Sequence, residues 1–410
     1  MRVSSRVPAR AATAAAIVVL LAVAIVPLAR GGHEVAVYPS YYPHEIEIAT
    51  VAPAAAATLL RDGKLHAYIG QPPGGAPDAI RPGGAIRSAE SLGSLVIIRV
   101  NAASANPPDH PSACAVAASV IANLDRGQLV VHPYPVTPWH GDYLYHADLA
   151  DAAKGRYLAA GAAGAADTAG TAGAAGTAGT SAPVKVRAVG EVARQAVPPD
   201  WITDGPDWDA EVSEVGAGDL VASAMLAMNG SLGPEWLRTG WFQAELLLRD
   251  TGDADERAHE ERQRADEAFR RLTSRDYDNL VARVNLEREL VTALTAGCRK
   301  VVAGYTVKRE YYNAEFSAGI ENIASDALTG LHSPMFIRTV KLKDFPWNGW
   351  LKLGIDATPA AAWNPIGGMN DQFGRLMWFA LGDPALLPSP YEAGFMLNRI
   401  ADVRQNEGRR

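Results

Sequence analysis

Two cysteines in 410 residues, Cys114 and Cys298, are too few for a disulfide-stapled scaffold. Their spacing also excludes C-x-x-C redox pairs and C-x-x-C-H haem attachment. Positive charge is in short supply too: Lys and Arg number 38 against 45 Asp and Glu, for a net charge of -7. No basic stripe stands out against that balance, so the electrostatic footprint of a nucleic-acid binder is missing and nucleic acid is not a partner. The Walker phosphate loop, the G-x-S-x-G elbow and the H-E-x-x-H zinc pair are absent, which removes the enzyme classes they mark. Glu287, Glu289, Glu310, Glu315 and Glu321 occur in the later half, but no pattern brings two of them to a glycosidase separation. The sequence assigns no reaction.

Long apolar runs are scarce as well, with one exception. Arg2, Arg6 and Arg10 precede an uncharged stretch from Ala11 to Ala29 that is long enough to cross a bilayer. The arginines favour an N-in orientation and place everything after Arg30 outside the cytoplasm. Pro27-Leu28-Ala29 is a poor small-x-small cleavage site, which favours a membrane anchor over a cleaved signal peptide for residues 1–32. An exported location lets Cys114 and Cys298 pair. A buried thiol is the other reading, because Cys298 continues the apolar stripe of Leu280, Val284, Val291 and Leu294.

What is present points to an α/β protein with a parallel or mixed sheet region in its first half and a helix-rich second half. Residues 33–158 alternate short apolar strands (EVAVY, Glu45 to Ile48, LHAYIG, LVIIRV, QLVVH) with helices at Ala54 to Arg61 and Cys114 to Leu124. Residues 159–182, rich in Ala, Gly and Thr, have nothing large to bury and read as a flexible linker or insertion. Residues 183–410 form the second expected domain. Helical periodicity is read over Asp219 to Met228, Pro234 to Leu248, Asp255 to Ser274, Asp276 to Gly304 and Tyr305 to Ile323, and a proline turn with a helix over Leu386 to Arg399.

The densest collection of chemistry is HPYPVTPWHGDYLYHAD, from His132 to Asp148. Three prolines stop the preceding strand near His132, and Thr137-Pro138 reads as a cap and first position of a helix carrying Asp142 and His146 on one face. Ligand binding, metal binding and plain packing all fit this stretch. As a metal set, His132, His140, Asp142, His146 and Asp148 suit zinc or copper. As a solute site, His132, Tyr134, His140, Tyr143 and His146 would join Tyr38, Tyr41, Tyr42, His66, Tyr68 and Gln71 at other strand ends. All of these gather at one sheet edge if the strands are parallel neighbours. Trp347 and Trp363, in a loop rich in Trp, Asn and Gly, form either a second ligand-facing wall or a packed loop.

The segment PAAAATLLRDGKLHAYIG, 18 of 410 residues, resembles the helix, Asp-Gly turn and cleft-facing strand of type II periplasmic solute-binding proteins. His66 stands where those proteins usually carry an aspartate. The resemblance implies two lobes closing on a small solute outside the cytoplasm, often with a membrane tether. The leading expectation is therefore a membrane-anchored extracytoplasmic protein that binds a small molecule or ion for a membrane-associated complex. The alternatives are a metal-dependent enzyme or metal-assembly factor using the His132 to Asp148 cluster, and a non-catalytic structural subunit.

Overall fold

The computed structural model describes residues 42–71, 84–101, 112–169, 184–220, 234–249, 256–344, 349–359, 371–382, 385–390 and 392–398. The proposed anchor, Tyr38, Tyr41, Trp347 and Trp363 lie outside them. No helix among the described residues is long and apolar enough to cross a membrane. In chain order the elements begin with β1 (Glu45–Thr50), α1 (Pro53–Arg61), β2 (Ala67–Ile69), β3 (Ile86–Val100), α2 (Ala113–Asn123), β4 (Leu129–Val131) and α3 (Ala147–Ala169). They continue with β5 (Val186–Val189), α4 (Glu191–Ala196), β6 (Ala210–Gly216), α5 (Gly240–Leu248), α6 (Glu256–Ser274), α7 (Leu280–Thr295) and β7 (Lys300–Asn313). The remainder is β8 (Ile320–Glu321), α8 (Pro334–Thr339), β9 (Lys341–Leu342), β10 (Trp350–Ile355), α9 (Gln372–Leu381), β11 (Leu386–Pro388) and β12 (Phe395–Leu397).

The sheet is mixed. Its order is β1-β10-β2-β7-β3-β6-β5, with β4 also on β7. The pairs β1/β10, β10/β2 and β5/β6 are parallel, while every pair involving β7 or β3 is antiparallel. The main sheet thus takes strands from both sides of residues 159–182. The half expected to be helix-rich contributes β5, β6, β7 and β10 to it, alongside its helices.

The largest departure from the sequence expectation is β7. Residues 276–304 and 305–323 read as two helices, but α7 ends at Thr295 and Lys300–Asn313 is a strand. The segment is rich in Val and Tyr, types that suit a pleated, packed surface. Long β3 covers it along one edge, from Ile86 opposite Asn313 to Arg99 opposite Lys300. Tertiary pairing overrides a weak helical spacing here. Gly304 marks how tightly the strands fit, because a Cβ there would run into the Val130 carbonyl of β4. The expected C-terminal helix is likewise a hairpin, β11 against β12.

Elsewhere local signals hold. Ser112 and Asn279 cap α2 and α7 with side-chain oxygens that accept the Ala115 and Ala282 N–H groups. α2 and α4 pack on β3, β5 and β6 through Val116, Ile121, Val96, Ile98, Val212 and Val186. On α6, Arg264 with Glu261 and Arg270 with Glu267 form exposed ion pairs, the solvated face its charge pattern predicts.

Cys114 and Cys298 are joined in a disulfide that ties the start of α2 to the turn before β7 across 184 residues. A cross-link of that span removes much freedom from the unfolded chain and typically contributes about 2–4 kcal/mol. Cys114→Ser/Cys298→Ser is therefore expected to lower the unfolding free energy measured in urea by that order. Dithiothreitol should do the same to the wild type and nothing further to the double variant.

Candidate functional site

β4 ends where proline removes the donors needed to extend it. His132 N–H still reaches Ala303 O of β7 at 3.0 Å, and Pro133 and Pro135 follow. Thr137-Pro138 does not start a helix. Residues 138–142 form turns, Tyr143–Tyr145 is one 3-10 turn, and α3 starts only at Ala147. The reason is local competition, because Thr137 N–H donates to His140 Nδ1 at 2.9 Å and folds the chain back on itself. With Nδ1 accepting, His140 carries its proton on Nε2 and donates it to Gln243 Oε1 of α5 at 3.0 Å.

Asp142 is held from the other side. Its Oδ1 accepts Gly240 N–H at 2.8 Å and its Oδ2 accepts Trp241 N–H at 3.2 Å. The local cap residue, Thr239, makes no side-chain cap bond, so Asp142 supplies the negative charge and acceptors that the N-terminus of α5 lacks. His146 is fully buried and shares a 2.9 Å hydrogen bond with Tyr134 through Nδ1, while its Nε2 has no partner. Burial pushes its pKa down to about 4, against the opposing charge of Asp142, and raises the Tyr134 phenol. Glu287 of α7 completes the cluster. Asp142, His146 and Glu287 each bring a ligand atom within 4.8 Å of the others. Burial and then the Asp142 charge push the Glu287 carboxyl up to about 7.

Of the expected metal set, the structure therefore brings together Asp142 and His146 and adds Glu287. His132 Nε2 lies 3.1 Å from Val136 O, and both His140 nitrogens are hydrogen-bonded. Asp148 is exposed in a bidentate pair with Arg288, 2.7 Å in each arm, which holds its carboxyl at about 2. Tyr143 stacks obliquely on His132 at 6.0 Å. The signal for Glu287 was legible: it stands on the same helical stripe as Val284, Val291 and Leu294, where a carboxylate needs a reason.

The expected single rim does not form. β2 and β4 are not neighbours; they lie end to end on the same edge of β7. Tyr68 stands opposite Tyr311 while His132 bonds to Ala303. Those β7 residues are eight apart, roughly 26 Å at about 3.3 Å per residue. Tyr68 is fully buried and donates to Val51 O at 3.2 Å; burial, then Asp356, pushes its phenol up to about 12. His66 Nδ1 accepts Lys352 N–H at 2.9 Å, and burial lowers its pKa. Tyr42 is exposed with Lys341 Nζ 5.2 Å from its ring centre, and Gln71 is exposed with its N–H on Asp356 Oδ2 at 2.7 Å.

Between β2 and β4, residues 307–310 of β7 pair with no strand on that edge among the described residues. The C-terminal ends of parallel β2 and β10 stop beside this gap, with Gln71 and Asp356 just beyond them. Lys308 and Glu310 share one face of β7, and Ser91 of β3 stands opposite Lys308. Glu310 Oε1 lies 2.7 Å from Lys308 Nζ and 3.1 Å from His332 Nδ1, and Oε2 accepts Leu331 N–H at 2.5 Å. Gly330, at φ 63°, leads into that contact, and a Cβ there would strike Glu310 Oε2. Burial raises the Glu310 pKa, but Lys308 and His332 outweigh it and hold the carboxyl at about 2. Ser91 Oγ and His332 Nε2 are buried without partners. Sequence reasoning missed this group because it read β7 as a helix.

No family model and no curated protein matches this sequence. Among solved structures the chain is similar to NikZ from Campylobacter jejuni in complex with Ni(L-His), at 12% identity and a TM-score of 0.33, covering 66% of this chain and 56% of that one. It is also similar to NikA from Brucella suis in complex with Fe(III)-EDTA, at 13% and 0.35, covering 68% and 58%. A third is the binding protein AgaA from A. tumefaciens R10 in complex with agropinic acid, at 12% and 0.35, covering 71% and 59%. This chain thus spans just over half the length of the solved structures it matches. These neighbours are periplasmic substrate-binding proteins, the class that residues 53–70 resemble. At these TM-scores the likeness carries no argument about the ligand or site of this chain.

Proposed function

We propose that this is a membrane-anchored extracytoplasmic protein that binds a small polar solute at the gap between β2 and β4, and delivers it to a membrane-associated complex. The observation that carries the reading is the convergence of Asp356, Gln71, Lys308, Glu310 and His332 on the stretch of β7 whose second edge meets no strand among the described residues, at the C-terminal ends of two parallel strands. Strand carboxyl ends are where open α/β sheets hold ligands, because backbone groups and loop side chains face the same crevice. Lys308 and Glu310 largely neutralise each other, and burial together with Lys308 keeps His332 uncharged more readily than usual. Asp356 is left as the surplus negative charge, so the favoured solutes carry an amino group. Two further features support an extracytoplasmic location: the basic and apolar leader, and a disulfide that an oxidising compartment sustains.

Thermal shift of the protein against amino acids, di- and tripeptides and polyamines tests the reading. A matching solute at a hundred times its Kd stabilises the wild type by about 2.7 kcal/mol. Asp356→Asn is expected to lose that shift while keeping its own unfolding temperature near that of the wild type. Indifference of the folded wild type to the whole panel, or an undiminished shift in Asp356→Asn, contradicts it.

The charge pair has its own signature. A folded-state pKa of about 2 against an ordinary 4.5 means that Glu310 contributes stability fully present above 4.5 and lost as pH falls through about 2. Glu310→Gln should lower stability at pH 7 by roughly 2 kcal/mol. Urea unfolding from pH 7 down to pH 2 should show the two proteins converging over the acid part of that range. Parallel curves would remove Glu310 as a charged partner of Lys308.

A further inference from the structure

The turn from Asp142 to His146 and helix α7 gather three groups that the strand-end gap does not use. Asp142, His146 and Glu287 are 7%, 0% and 2% exposed, and one ligand atom of each lies within 4.8 Å of the other two. Buried polar atoms almost always have a hydrogen-bond partner, yet His146 Nε2 and Glu287 Oε2 have none. We infer that these three residues form a binding site for one divalent metal ion, with zinc as the fitting ion.

The donor chemistry supports that assignment. Two carboxylates and one imidazole match the ligand types zinc takes, and the absence of a thiolate from the set disfavours softer ions. Donors about 2.1 Å from one tetrahedral zinc lie about 3.4 Å apart, so a trio whose atoms lie within 4.8 Å of one another has to draw in by up to about 1.4 Å, a shift within reach of side-chain rotation. Asp142 remains available although both its oxygens accept backbone N–H groups, because each oxygen has a second lone pair. Tyr134 orients the imidazole. When its hydroxyl accepts the Nδ1–H, Nε2 is left as a lone pair, and metal-bound histidines ordinarily make an outer hydrogen bond of this kind.

Charge balance points the same way. A divalent ion held by two carboxylates and an imidazole would offset the charge those carboxylates carry when they coordinate it in a buried space. One side-chain cation offsets part of that charge. Arg283 Nε is 3.3 Å from Glu287 Oε1 but is not aligned for a hydrogen bond, and Arg288 is committed to Asp148. Three protein ligands leave a fourth tetrahedral position for water. The competing arrangement is a proton or an ordered water shared among the three groups, with no metal.

The test uses the full chain purified without a histidine tag. Elemental analysis should find close to one zinc per chain, and EDTA should lower the unfolding temperature, with zinc chloride restoring it. Glu287→Gln and His146→Ala should each weaken zinc binding at least tenfold, whereas the exposed His259→Ala should leave it unchanged. If either site variant fails to fold, cobalt(II) added to the metal-free wild type decides: absorption bands of a low-symmetry four- or five-coordinate ion support the site, and the spectrum of hexaaqua cobalt overturns it. A wild type that neither retains zinc nor responds to it, or a zinc response that survives both site variants, also overturns it.

Discussion

The antiparallel pairing of β7 with β3 is the constraint on which the rest depends. One edge of β7 is occupied along nearly its whole length, so every remaining strand that meets it must share the other edge. β2 takes one end and β4 takes the other, and what separates them is fixed by the rise of the strand rather than by any contact between the two. The loop that follows β4 is thereby delivered to the helical layer of α5 and α7, whereas the loops that follow β2 and β10 are delivered to the open stretch at residues 307–310. Two polar centres arise from one strand, each backed by its own helices.

Both centres carry more buried charge than the packing requires, and the manner of compensation differs. Around Glu310 the partners are present: Lys308, His332 and the Leu331 N–H surround the carboxylate, and the nearby turn is locked by Asp326, which pairs with Arg238 and accepts the Leu328 and Thr329 N–H groups. Around Glu287 there is one, Arg283, whose Nε lies 3.3 Å from Oε1 without hydrogen-bond alignment. Asp142 spends its hydrogen bonds on the N-terminus of α5 and Tyr134 engages only one nitrogen of His146, so lone pairs face one another without a donor. Leaving buried groups unpaired is costly in proportion to their charge. Both clusters keep buried atoms without hydrogen-bond partners, Ser91 Oγ and His332 Nε2 in one and His146 Nε2 and Glu287 Oε2 in the other, but only the first surrounds its carboxylate with two basic side chains.

Much of the first half was legible because its signals are local. The β1–α1–β2 unit follows from a β-branched run, an alanine-rich helix with Pro53 at its start, and an Asp62-Gly63 stop, none of which needs distant partners. LVIIRV announced a strand buried on both faces, and β3 is one. Long-range placement was not legible. Tyr305, Tyr311 and Tyr312 satisfy a loose helical spacing as well as a strand, and only β3 alongside decides between them. The same limit applies to the sites. His132 and His140 are attractive ligands on paper, but the turn uses their nitrogens to fold itself. Glu287 lies about 140 residues from His146 in sequence, and only a carboxylate on an apolar stripe hinted at it.

Hydrogen–deuterium exchange across Lys300–Asn313 probes the central claim most directly, since every placement above follows from β7 being a paired strand. Amides of Gly304 and Tyr305, held between β3 and β4, should exchange only on global unfolding, with those at 307–310 measurably faster. Uniform, rapid exchange across the segment, or protection with no weak point between the β4 and β2 contacts, would contradict the arrangement of two separate centres on one spine.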